Sequence, residues 1–155
     1  MAEPGSADPV ARESTRLWCV AVNAAQTTLD PKQMREWTPN SQYGGFAFGV
    51  QADPVRKLSE FEVFLARRDS MLPWLAEFSP YALVSKDDPP TFLWYGTRPA
   101  LGQEERDPAH TANFGVKLAE RLGEVGVECE LVYPGGPKTR FVSAADWLVE
   151  RLKHP

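Results

Sequence analysis

Hydrolytic, phosphoryl and metal chemistry each need particular side chains at particular spacings, and few such sets assemble in this chain. None of its eight serines lies in a G-x-S-x-G turn, the strained corner that exposes a nucleophilic hydroxyl. Gly5-Ser6-Ala7 echoes that turn, but Asp8 stands where the last glycine belongs, and the four residues before Gly5 are too few for a strand. Ser6 is therefore expected to be a flexible serine. The two histidines are His110 and His154, and His154, near the C-terminus, is expected on the surface. Cys19 and Cys129 lie in strand-like apolar runs without metal-ligand spacing, which predicts free buried thiols. Gly44-Gly45-Phe46-Ala47-Phe48-Gly49 is glycine-rich, yet it neither follows a strand nor opens a helix, so a phosphate cradle is not expected. Glu104-Glu105-Arg106-Asp107 has no metal-ligand spacing and reads as a solvated loop. No metal and no cofactor is expected.

The elements that must position these residues follow an alternating pattern. Residues 1–16 read as an irregular lead-in, and 17–155 as the folded part. Leu17 to Val22 is a near-continuous apolar run, the pattern of a strand buried on both faces of a parallel sheet. Leu29-Asp30-Pro31 opens a short turn or helix through Trp37, and residues 38–52 form an aromatic loop. Asp53-Pro54 reads as a helix start, with Val55, Leu58, Phe61 and Leu65 inward as far as about Arg68. A second short helix is expected around Pro73 to Phe78. Asp87-Asp88-Pro89-Pro90 is turn chemistry before a strand at Thr91–Tyr95. A loop from Gly96 to Pro108 leads to a helix with Phe114, Leu118, Leu122 and Val125 inward, and Gly126 is placed to end it. Val127–Tyr133 alternates like a half-exposed edge strand, and Ser143 with Asp146 opens a last helix carrying Trp147, Leu148 and Leu152. The order β-α-α-β-α-β-α predicts an α/β protein with a parallel sheet of about three strands and flanking helices.

Bulk properties narrow the classes. A chain of 155 residues is one domain or part of one, and 43% hydrophobic residues are enough for a real core. A net charge of −4 without a basic stripe argues against nucleic acid or an anionic membrane as partner. The apolar runs are far short of the ~20 residues that a membrane span needs. Met1-Ala2-Glu3-Pro4-Gly5 has neither a basic nor an apolar signal region, so no signal peptide is expected; the compartment is open, with the cytoplasm as default.

Ser79-Pro80, then Val84-Ser85-Lys86-Asp87-Asp88-Pro89-Pro90, then a strand ending at Gly96, is similar to the approach to the acid loop of esterase/lipase-type α/β-hydrolases. The likeness continues through Phe114–Leu118 and from Val127 to Pro134-Gly135. Asp8–Arg16 and Gln26–Pro31 resemble the segments around the sixth strand in a subgroup of these enzymes. The resemblance implies that nearly the whole chain corresponds to strands six to eight and their helices. It implies a serine nucleophile, a histidine base and an acid that orients the imidazole.

Carried onto this sequence, the acid has two positions. Counting forward from the strand gives Pro99; counting back from the helix gives Asp107-Pro108, eleven residues before Leu118, with an insertion of about eight residues at Pro99–Arg106. Asp107 is either the retained acid or a cap for a helix opened by Pro108, and both can hold. The position where the family places its histidine is Lys138, and a lysine is protonated at neutral pH, so it accepts no proton from a serine. His110 lies just past Asp107 on the implied active-site rim, either as a helix-surface histidine or as a base.

These readings lead to a truncated or degenerate carboxylic ester hydrolase, inactive as an isolated chain, with residues 38–52 as a lid. A non-catalytic binding or assembly module that reuses the sheet, and the second half of a split or mis-started esterase, are the alternatives. The strand at Leu17 would leave an open apolar edge, to be covered by self-association, by residues 1–16 or by a separate N-terminal hydrolase half. A small ester substrate is expected only once the sheet is completed.

Overall fold

The computed structural model describes residues 3–14 and 16–153; His154 lies outside them. Three four-residue strands, β1 (Val20–Asn23), β2 (Thr91–Trp94) and β3 (Cys129–Val132), form one parallel sheet in the order β1-β2-β3. Val22, Leu93 and Leu131 share one register row, and Ala21, Phe92 and Glu130 the next, so the two rows point to opposite faces. Parallel pairing needs crossovers, and the chain supplies them as helices. The α/β parallel sheet predicted from the sequence is the fold observed.

The first crossover contains α2 (Pro31–Trp37), a 3₁₀ turn (Gly45–Phe48), α3 (Glu60–Ala66), α4 (Arg68–Phe78) and α5 (Pro80–Leu83). The second is α6 (Ala112–Glu124), and α7 (Ala144–Lys153) follows β3. The main core lies on the Leu93 face, where Met34, Trp37, Phe61, Phe64, Leu75, Tyr95 and Phe114 pack together. On the other face Trp147 of α7 packs on Phe92, with ring centroids 5.8 Å apart.

Several boundaries differ from those read in the sequence, each for a local reason. The lead-in contains one helical turn, α1 (Pro9–Arg12), because the Asp8 carboxylate accepts the Val10 N–H. The strand begins at Val20 instead of Leu17 and is only partly buried; Leu17 and Trp18, which precede it, are 67% and 57% exposed, and among the described residues β1 is paired on one side only. Asp53 does cap Val55 and Arg56, but Lys57 enters the left-handed region at φ 56° and closes an Asp53–Leu58 bridge. Val55 is left 91% exposed. The helix starts afresh at Ser59, whose capping box with Glu62 wins over Asp53-Pro54. The helix expected at Pro73 begins five residues earlier, at Arg68, with Pro73 inside it. In α7, Leu152 is exposed and Trp147 alone is buried. Gly126 takes the left-handed conformation at φ 79° just past the end of α6, as expected. Both cysteines are free, but each is partly exposed.

Candidate functional site

In a parallel α/β sheet, side chains with chemistry gather where loops leave the carboxyl ends of the strands. Here those loops follow Asn23, Trp94 and Val132. The longest, residues 95–111, carries Asp107 and His110.

This loop is fastened at several points. Asn113, fully buried on the first turn of α6, donates from Nδ2 to the Trp37 carbonyl at 2.8 Å, to Thr38 Oγ1 at 2.9 Å and to the Ala100 carbonyl at 3.3 Å. Its Oδ1 accepts the Ala100 N–H at 2.7 Å. Asn40 grips the Glu105 backbone, donating to its carbonyl at 2.8 Å and accepting its N–H at 3.0 Å. Gly102 N donates to the Trp37 carbonyl at 3.0 Å. One long loop is thereby tied to the C-terminal end of α2. Arg98 joins it to the third loop by donating from Nε to the Pro134 carbonyl at 3.0 Å. Tyr95 hydroxyl donates to the Ala25 carbonyl at 2.7 Å and ties the loop after β2 to the one after β1.

Within this frame Asp107 and His110 face one another. Asp107 Oδ2 lies 2.9 Å from His110 Nδ1, and Asp107 Oδ1 accepts the Ala109 N–H at 3.2 Å. The His110 ring, aided by the Ala109 N–H, holds the Asp107 carboxyl below the usual carboxylate range. Burial first, then the Tyr95 phenol and the Asp107 carboxylate, push the Tyr43 phenol up. The two readings in which α6 begins near Asp107 are corrected. The helix starts at Ala112 under Thr111, whose Oγ1 accepts the Asn113 N–H at 3.2 Å, so Asp107 does not cap it and His110 is not on a helix. Asp107-Pro108 instead makes a turn, in which His110 N donates to the Asp107 carbonyl at 3.3 Å.

The serines are accounted for one by one. Ser6, Ser14, Ser85 and Ser143 accept backbone N–H groups in turns or caps. Ser59 caps α3, and Ser70 donates to the Arg67 carbonyl. Ser41 is buried and donates to the Met34 carbonyl at 3.1 Å. Ser79 is buried too, accepting the Leu29 N–H at 3.0 Å and meeting Thr28 Oγ1 at 3.3 Å. No described serine is hydrogen-bonded to His110. Burial, followed by the Glu130 charge, pushes the Cys129 thiol up to about 12, which disfavours the thiolate that a nucleophile needs. Lys138 is exposed on the loop after β3. Among the described residues no group of three His, Cys, Asp or Glu side chains gathers as a metal site.

A second polar cluster was not singled out from the sequence. Arg68 grips Asp30 with two parallel bonds, Nε to Oδ1 at 2.7 Å and Nη2 to Oδ2 at 2.6 Å. Burial raises the Asp30 carboxyl, but the Arg68 fork and the Lys32 N–H outweigh it and leave the group below its usual range. This cluster anchors α2 to α4 and holds no unengaged nucleophile.

No protein-family model matches the chain, and no curated protein matches it. Among solved structures it is similar to acetyl ester-xyloside bifunctional hydrolase from Caldicellulosiruptor lactoaceticus, with a TM-score of 0.50 and 21% identity. The likeness covers 97% of this chain and 47% of that one, so the chain spans less than half the length of the hydrolase it resembles. That similarity is one of fold: an α/β parallel sheet of the kind found within a hydrolase.

Proposed function

We propose that the chain is the acid-loop part of an α/β-hydrolase of the carboxylic ester hydrolase group, corresponding to strands six to eight, and that it lacks triad catalysis by itself. The observation that carries this reading is the combination at the carboxyl ends of the strands. Asp107 sits on a fastened loop after β2, while every serine hydroxyl is engaged elsewhere. Removing triad members leaves only ~10³–10⁴-fold catalysis from binding and the oxyanion hole, and the strand-to-helix corner that builds such a hole is missing from these 155 residues. Residues 38–52 belong to the same site as its cover. Support comes from Asn40's grip on Glu105 and from Tyr43, whose ring packs edge-on to Phe114 at 6.4 Å.

A test is hydrolysis of p-nitrophenyl acetate and butyrate by the purified protein, alongside a fluorophosphonate probe for an activated serine. The expected outcome is no saturable turnover and no labelled serine. Saturable turnover with one labelled serine would sink the reading.

The second reading is an assembly module. Its support is the β1 edge, unpaired among the described residues and flanked on both faces by open apolar grooves. One groove, of about 340 Å³, is lined by Val20, Val22, Leu83 and Leu122; the other, of about 380 Å³, by Ala21, Trp94, Phe141 and Val142. A nucleophile-bearing hydrolase half or a second copy of the chain would pair there.

A further inference from the structure

The geometry points to a binding site for an organic ammonium at the amino end of the sheet, with the Asp88 carboxylate as its counter-ion and the Trp18 indole as its apolar wall. The site is independent of the ester-hydrolase reading. Val20 opens β1 and Pro90 precedes β2, so it lies at the opposite end of the strands from the loop that carries Asp107.

A cleft of about 810 Å³ opens here, lined by Arg16, Trp18, Asp87, Asp88, Pro89 and Arg151 among others. Small-molecule sites span ~300–1,000 Å³, so the space suits a small ligand. Charge decides which one. Each arginine of the cleft already has its own carboxylate. Arg16 Nη2 lies 3.2 Å from Asp87 Oδ2, and Arg151 Nη2 is bonded to Glu128 Oε1. Asp88 is the carboxylate left over. Its Oδ2 accepts the Ser85 N–H at 2.9 Å, and among the described residues no cation pairs with it, although the residue is partly buried. With Glu128 counted, two arginines stand against three carboxylates, so an anion is repelled and a cation is matched.

The cation is an organic one for two reasons. Asp87 is turned to Arg16 and Glu128 to Arg151, so the carboxylates do not converge as metal ligands do. The rest of the lining favours carbon. Trp18 is 57% exposed, and an indole face attracts an ammonium while its ring covers the attached hydrocarbon. Asp88, Val20 and Pro89 also line the apolar groove beside Leu83, which gives a short alkyl tail a wall next to the carboxylate. The walls are set before a ligand arrives. Asp88 N donates to the Ser85 carbonyl at 3.1 Å, Asp87 N donates to Ser85 Oγ at 3.3 Å, and two prolines stiffen the exit of that turn. On the far side the Arg151 guanidinium lies over the Trp147 ring, 5.2 Å from its centroid. Such preorganisation lowers the ordering cost of binding.

The test titrates the 155-residue protein with butylammonium chloride by calorimetry, with sodium butyrate and butanol as controls of the same chain length. Butylammonium is expected to bind saturably, and butyrate and butanol about ten-fold more weakly or not at all. Asp88→Asn keeps an acceptor for the Ser85 N–H but loses the charge; it should weaken butylammonium about ten-fold with an unchanged far-ultraviolet spectrum. Trp18→Ala should weaken it several-fold. Nα-acetyl-lysine methylamide separates the sources of the ammonium: tighter binding than butylammonium assigns a lysine side chain of a partner, and equal or weaker binding assigns a free amine. No saturable heat, butyrate binding as tightly as butylammonium, or Asp88→Asn binding like the wild type would overturn the site. Should Asp88→Asn fail to fold, the three head groups compared on the wild type decide alone.

Discussion

Asn113 is the residue whose removal should cost most per atom. Its amide serves Trp37, Thr38 and Ala100 at once, and Asn113→Ala strips the Ala100 N–H and the Thr38 hydroxyl of that partner, while the Trp37 and Ala100 carbonyls keep the Gly102 and Gln103 N–H groups. We expect a loss of about 1–3 kcal/mol in urea unfolding, with faster amide exchange at Ala100 and Gly102. An unchanged midpoint would mean that the loop is held by its other ties, from Asn40, Gly102, Arg98 and Tyr95. The Asp30–Arg68 pair makes a different demand, on pH. The Asp30 carboxyl is depressed in the folded state, so its stabilising effect is full above the unfolded carboxylate range and fades as pH falls through the folded value. Arg68→Met removes the fork and should flatten that acid limb while lowering stability at neutral pH; acid titrations at fixed urea would read both effects. Neither cluster was legible beforehand. Asn113 looks like any polar residue at a helix start, and Asp30 read only as the start of a turn, because a partner 38 positions away in sequence leaves no local pattern. Asp107 and His110 were legible as neighbours three apart, but Asp107-Pro108 read as a helix start; their 2.9 Å contact depends on Pro108-Ala109 forming a turn instead.

At the scale of elements, α6 shows what periodicity can and cannot give. The stripe Phe114, Leu118, Leu122 was plain at helical spacing, and Phe114 and Leu122 are buried. Its start was misplaced because Asp107-Pro108 and Thr111 both offer cap chemistry, and the loop's ties to Trp37 and Asn40 favour the second. Gly115 carries a fact that periodicity misses. A Cβ there would overlap the Tyr95 ring and the Leu131 side chain, so glycine lets the helix sit close against β2 and β3. The helical cost of a glycine, ~1 kcal/mol, is accepted in exchange for that approach. Gly115→Val should therefore destabilise by about 1–3 kcal/mol or more through overpacking, despite removing a poor helix former. On the same helix, a Cβ added at Gly123 would meet nothing within 4 Å. Gly123→Ala should then stabilise slightly, and thermal melts of the two variants moving in opposite directions would confirm that packing decides the first. If Gly115→Val melts like the wild type, α6 does not approach the sheet so closely.

For the whole molecule the deciding feature is the β1 edge of the sheet, unpaired among the described residues. An apolar strand that must be covered was legible from the run Leu17–Val22; that only Val20–Asn23 pairs, and on one side, was not. Val20 N donates to the Pro90 carbonyl at 3.0 Å and Ala24 N to the Trp94 carbonyl at 2.8 Å, so residues 20, 22 and 24 face β2. By the alternation of a strand, the N–H and C=O of Ala21 and Asn23 face outward along the open edge. This geometry allows a selective variant. Proline at 21 removes an outward N–H and no bond to β2, and the residue before it, Val20, already has the extended backbone that proline requires. If the edge is the contact surface, sedimentation velocity should show the wild type associating as concentration rises. Ala21→Pro should stay monomeric with an unchanged far-ultraviolet spectrum. A variant that associates like the wild type would move the contact away from β1, and a wild type monomeric at every concentration would mean that the edge does not recruit a second copy. In that case the exposed Leu17 and Trp18 and the grooves beside Leu83 and Val142 do not serve self-association.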